Sequence, residues 1–224
     1  SATDTPLVRL SPGKKNGEQY TVVTNDREVC AEMTRYLASL GHERIAFITG
    51  HVSHKAVEHR FHGYKEGLER NGLAYRKELV ANGDNSFGSG EACANELLAL
   101  SVPPTAIFAA NDDMATGVMR TAEKLGIDIP GQLSVAGFDD IALARQTFPS
   151  LTTIRQPLAA MAAADAYLAC AEQLLAAGNK DEAKKIYTSL ATGEMTKGYL
   201  GGNAIDWGWT VGGGPTAFDI QTIV

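Results

Sequence analysis

Arg44-Ile-Ala-Phe-Ile-Thr49 is an almost unbroken apolar run, closed by Gly50 and preceded by Leu40-Gly41. A half-buried strand alternates apolar with polar residues, whereas a continuous short run is what a strand covered on both faces requires. Thr105-Ala-Ile-Phe-Ala-Ala110 and Leu133-Ser-Val-Ala-Gly-Phe138 have the same character. Between and around them lie segments of helical period, Val29 to Leu40, Ala56 to Asn71, Ser89 to Leu100 and Ala115 to Gly126. Leu40-Gly41, Asn71-Gly72 and Leu125-Gly126 place a glycine where a helix ends in the left-handed region. Strand and helix in strict alternation predict an α/β fold with a doubly wound parallel sheet.

Composition supports an ordinary globular chain. Of 224 residues, 44% are hydrophobic and 21% charged, enough for a substantial core in one or two domains. The net charge is -6 and the two signs are interspersed, so no basic stripe offers itself to a phosphate backbone. Contact with DNA is therefore not expected of this chain alone. No apolar run reaches the roughly 20 residues of a membrane span, and Ser1 to Asp4 carry neither the basic nor the apolar region of a signal peptide. Cys30, Cys93 and Cys170 are widely spaced within helix-like patterns and read as buried, reduced thiols of a cytoplasmic protein.

Beyond Met161 the character changes. Ala159 to Ala177 is Ala-rich and helical, Gly178-Asn179-Lys180 is a turn, and Asp181 to Leu190 is a second helix with an acidic first turn. From Thr192 onward glycine is frequent, and Ile220 to Val224 alternates weakly as a strand does. The expected division is 1–161 for the sheet domain, 162–192 for a helical hairpin and 193–224 for a Gly-rich tail.

Four segments, in this order, resemble the effector-binding domain of LacI/GalR-type transcription regulators, a periplasmic-binding-protein-like fold. They are Leu40-Gly-His-Glu-Arg-Ile-Ala-Phe-Ile-Thr-Gly50, Arg60-Phe-His-Gly-Tyr64, Ala110-Asn-Asp-Asp-Met-Ala115 and Gly137-Phe-Asp-Asp140, the last continued by Leu151-Thr-Thr-Ile-Arg-Gln-Pro157. The resemblance runs from about Pro6 to Met161 and is specific through order and spacing together. Thr24-Asn-Asp-Arg27, opening the first helix, looks like the family's passage into its C-terminal lobe. The resemblance implies two hinged lobes with a small-molecule effector, a sugar or a purine, in the cleft between them. It also implies a homodimer, no cofactor, no membrane contact, no enzymatic activity, and DNA contact only through a head domain that this sequence does not include. Most of the N-terminal lobe is likewise missing from the sequence, and the hairpin and Gly-rich tail stand where the family's last helix and strands would be.

Binding a polyol asks for fixed polar groups that donate and accept together, since each buried hydroxyl must find partners. In open α/β sheets ligands settle outside the carboxyl ends of strands, where Asn111 and Asp139 fall. Arg60, matched to the family's cation at the start of its helix, offers a guanidinium fork for vicinal hydroxyls or a carboxylate, or else a salt bridge to Glu58 or Asp84. Asn111 offers donor and acceptor at once and equally suits a helix cap. Asp139 is assigned to the ligand, and Asp140 to capping the turn from Ile141. After Gly83-Asp84 the family commonly supplies a stacking aromatic, but Asn85 stands there. Phe87, two residues on, would face the same side of an extended segment and could replace it, or else belongs to the core. Ser53, with His54, lies at the cleft rim by resemblance.

Other patterns are weaker. His51, His54, His59 and His62 form two H-x-x-H pairs with no Cys, Asp or Glu at a matching interval. No G-x-S-x-G elbow occurs, and Gly212-Gly-Gly214 is followed by neither Lys-Ser/Thr nor a helix. Leu168 to Leu190 has Gly178, Ala183 and Tyr187 at the intervals of one tetratricopeptide unit, which alone forms no array. An effector sensor is the first expectation, and a structural or protein-interaction module built from a recruited effector lobe is the alternative.

Overall fold

The computed structural model of the chain describes residues 9–10, 21–22, 25–156, 158–192 and 220–221. Two compact units result, Asp26–Gln156 with Ile220–Val224, and Ser1–Asn25 with Pro157–Asp219.

The first unit carries the sheet. Helix α1 (Asp26–Ser39) leads into β3 (Ile45–Thr49), α2 (Lys55–Arg70), β4 (Val80–Asn82), α3 (Phe87–Leu98), β5 (Ala106–Ala109), α4 (Asp112–Lys124), β6 (Ser134–Asp139) and β7 (Thr152–Arg155). The strands run in the order β4-β3-β5-β6-β7, all parallel, and β8 (Ile220–Gln221) pairs antiparallel with β7. The predicted doubly wound parallel sheet is therefore present. Register sets Phe47 opposite Phe108 and Phe108 opposite Ala136.

Burial explains why the three apolar runs are continuous. Ala46, Phe47 and Ile48 of β3 and every residue of β5 are fully buried, because helices cover both faces. On one of those faces Phe47 stacks on Tyr64 of α2, ring centroids 4.9 Å apart, and the buried Tyr64 hydroxyl donates to the Ile45 carbonyl at 2.8 Å. All four helices of this unit occur where the periodicity put them. Three of them end, as expected, at glycines of positive φ, Gly41 at 93°, Gly72 at 67° and Gly126 at 68°. Helices α1 and α2 are further laced by Arg70 to Glu28 and by Arg27 to Glu66, while Arg70 also pairs with Glu66 within α2.

Two strands escape the apolar criterion. β4 is a three-residue edge strand whose partner is β3. β7 is rich in threonine, and Thr153 lies fully buried because its hydroxyl donates to the Asp112 carboxylate.

In the second unit β1 (Arg9–Leu10) pairs in parallel with β2 (Thr21–Val22), and α5 (Leu158–Ala176) packs on α6 (Lys180–Thr192) across a turn at Gly178 of φ 83°. The expected hairpin is thus formed, with Leu168, Ala171 and Ala183 at its seam. Its cysteine departs from expectation: Cys30 and Cys93 are buried, but Cys170 is exposed, on the outer side of an Ala-rich helix whose period distinguishes its faces poorly. The Gly-rich tail lies outside the described residues apart from β8.

Candidate functional site

All five parallel strands point their carboxyl ends to one edge, and the polar residues singled out above gather there. Asn111 follows β5 directly, Asp139 is the last residue of β6, and Arg60 reaches the same edge from α2.

Arg60 is the sixth residue of α2, not its start, and only 8% of it is exposed. Its Nε donates to Asp26 Oδ2 at 2.9 Å and its Nη1 to the Ala110 carbonyl at 2.6 Å. Its Cζ sits 3.6 Å from the centroid of the Phe138 ring. Asp139 Oδ1 lies 3.7 Å from Nη1. The partners expected from sequence, Glu58 and Asp84, are wrong. Glu58 is exposed on α2, and Asp84 accepts from the Ser86 amide and hydroxyl at the start of α3.

Asn111 is the N-cap of α4, its Oδ1 accepting from Met114 N at 3.0 Å. Its Nδ2 donates to the Asn85 carbonyl at 2.9 Å, which ties β5 to the start of α3. These bonds use one of its two amide protons and one of its two carbonyl lone pairs.

Asp139 and Asp140 both have positive φ, 120° and 56°, a conformation L-residues adopt at a cost of about 1–3 kcal/mol each. The neighbours that hold this bend are explicit. Gln156 Nε2 donates to Asp139 Oδ1, and Arg145 and Arg155 pair with Asp140, whose side chain is 1% exposed. The expected cap is corrected: Asp140 does not cap the turn, because the Ile141 amide donates to Asp112 Oδ2 at 2.9 Å. Asp112 is fully buried, and burial raises its carboxyl to about 7 despite the bonds from Thr153 and Ile141. Burial also raises Asp139, with Arg60 opposing it, while at Asp140 burial is outweighed by the two arginines, which together hold it below the ordinary carboxylate range.

The stacking residue comes out differently from expectation. Asn85 has φ 75°, so the chain turns there, and Phe87 opens α3 behind the N-cap Ser86. Residues 85 and 87 are not on one extended segment and do not share a face; Phe87 is 41% exposed. Asn85 instead accepts from the His51 amide through Oδ1 at 3.3 Å, which fastens the loop after β3. Ser53 is exposed in that loop, its hydroxyl 2.7 Å from His51 Nδ1. Among the described residues no three His, Cys, Asp or Glu groups gather to hold a metal ion.

Sequence reasoning passed over four residues that build this edge, namely Asp26, Asp112, Phe138 and Gln156. All lie inside quoted segments. What singles them out is the phase of α1 and α4 and the register of β6 with β7, neither of which a linear pattern displays.

The periplasmic binding protein-like domain model matches residues 34–194. The HTH-type transcriptional regulator GalR of Escherichia coli is 37% identical over 163 residues, which cover 73% of this chain and 47% of that protein. Among solved structures, a regulatory protein of the LacI family from Chloroflexus aggregans superposes with TM-score 0.71 at 30% identity, over 74% of this chain and 60% of that one. A transcriptional regulator CelR–cellobiose complex gives TM-score 0.64 at 33% identity, over 67% and 46%. The chain belongs to the periplasmic binding protein-like family, as an effector-binding domain of the LacI/GalR type. It spans about half the length of the curated relatives it matches.

Proposed function

We propose that this chain is the effector-sensing part of a LacI/GalR-type transcriptional regulator, and that its effector is a small hydroxylated molecule of the sugar class held at the Arg60, Asn111 and Asp139 edge. The observation carrying this reading is convergence. At the carboxyl end of one parallel sheet Arg60 Nη1 lies 3.7 Å from Asp139 and 2.6 Å from the carbonyl of Ala110, the residue next to Asn111. That the CelR structure is described as a cellobiose complex supports an effector of the sugar class.

Binding then shifts a conformational equilibrium and, through it, the affinity of a DNA-binding head of the helix-turn-helix kind that the relatives' names state. The protein works in the cytoplasm as a homodimer and catalyses no reaction. Ser53, Asn85 and Phe87 border the effector, Asn85 by shaping the loop and not by stacking. A thermal-shift screen of the chain against cellobiose, D-galactose, D-ribose and guanine tests this. A saturable rise in melting temperature with a sugar is expected, and no shift with any of them at millimolar concentration would overturn it.

A further inference from the structure

We infer that this edge selects uncharged effectors and rejects anionic ones such as sugar acids and sugar phosphates, an inference that rests on the effector reading above. An arginine that recruits an anion must present an uncommitted charge and an open fork of N–H donors. Arg60 has its charge already matched and its fork partly taken, two of its five N–H donors being bonded within the protein. Its Nε is bonded to Asp26, whose side chain is 1% exposed, its Nη1 is bonded to the Ala110 carbonyl, and its face lies on Phe138. Asp139 stands 3.7 Å from the same Nη1, so one guanidinium sits between two carboxylates.

The surroundings add negative charge. Asp113, half-buried in the first turn of α4, acts on Asp139 as a like charge, and so does Asp26. Arg145 and Arg155 are engaged by the buried Asp140. Among the described residues named here, Asp26, Asp113, Asp139 and Asp140 outnumber Arg60, Arg145 and Arg155 by one negative charge before Asp112 is ionised. A carboxylate or phosphate would enter against that surplus in a partly desolvated place, where like charges a few ångströms apart repel strongly. Neutral hydroxyls meet no such opposition. They donate to Asp139, whose carboxylate is the acceptor, and they exchange both kinds of hydrogen bond with the Asn111 amide.

Calorimetric titration of the full chain with matched sets tests the inference: D-galactose against D-galacturonate, D-glucose against D-glucose 6-phosphate, and D-ribose against D-ribose 5-phosphate. The tightest-binding neutral sugar is expected to exceed its charged counterpart by on the order of tenfold or more. Asp139→Asn should narrow that gap several-fold. Asp113→Asn, which leaves the Arg60 contacts in place, should narrow it too if Asp139→Asn fails to fold. Charged members binding as tightly as their neutral counterparts, or a gap that neither variant narrows, overturns the charge inference while leaving an effector site standing. Silence from every neutral and charged member overturns both readings.

Discussion

Replacing Arg60 by methionine tests the architecture of the site before any ligand is known. The substitution keeps most of the aliphatic stem and removes the guanidinium, and four interactions go with it: the ion pair to Asp26, the bond to the Ala110 carbonyl, the 3.7 Å pairing with Asp139, and the contact over Phe138. The first dominates. Asp26 is 1% exposed, so its carboxylate would be left as a buried charge without its cation, and breaking such a pair costs about 3–5 kcal/mol. An orphaned carbonyl costs about 1–3 kcal/mol and an aromatic–cation contact about 0.5–2 kcal/mol, but these act on one group and do not add. We expect Arg60→Met to lower the stability of the sheet unit by about 3–5 kcal/mol. Amide signals of β3, β5 and β6 followed by NMR through a urea titration at pH 7 would report it. Adding Asp26→Asn removes the stranded charge, so the double variant should recover about 2 kcal/mol of the loss. A single variant costing less than about 1 kcal/mol, or a double variant no more stable than the single, would refute the reasoning.

Three further outcomes follow from the same edge. Burial lifts Asp112 to about 7, whereas the unfolded carboxyl titrates near 4. The folded chain therefore holds the proton more tightly, and this group's contribution to stability is full below about pH 4 and lost as pH rises through 7. Wild type should lose roughly 2–3 kcal/mol between pH 5 and pH 8 that Asp112→Asn does not lose, and identical slopes for the two in urea titrations would be contrary. Asn111→Ala removes the α4 cap and the tie to Asn85, and should cost about 0.5–2 kcal/mol in the same titration and abolish sugar-dependent thermal shifts. A Cβ at Gly137 would lie 2.3 Å from Asp112 Oδ1 and 3.0 Å from Leu151 Cδ2, so Gly137→Ala should destabilise by about 1–3 kcal/mol in thermal melts.

The fold was legible wherever both faces of an element are covered. Phe47, Ile48, Ile107 and Phe108 are buried without alternation, and that is why their strands read directly from the sequence. Val80–Asn82 at the sheet edge and Thr152–Arg155 gave no such signal, since a three-residue edge strand is short and Thr153 is buried through a hydroxyl bond to Asp112. Asn111 and Asp139 stood out in the sequence because strand ends and a family resemblance coincide at them, and Arg60 through the resemblance alone. Their partners did not: Asp26 lies 34 residues before Arg60, and which of Asp112 and Asp140 takes the Ile141 amide depends on the left-handed bend at residues 139 and 140. The same kind of bend at Asn85 defeated the expectation that Phe87 would stack in place of the aromatic.

The most direct test of the central claim is a side-chain NMR titration of the chain with cellobiose, watching Arg60 Nε–H and Asn111 Nδ2–H₂ together. The account predicts that both resonances move and saturate at one common midpoint, and that Asp139→Ala removes the response. Binding that leaves both resonances unmoved would place the effector elsewhere and contradict it.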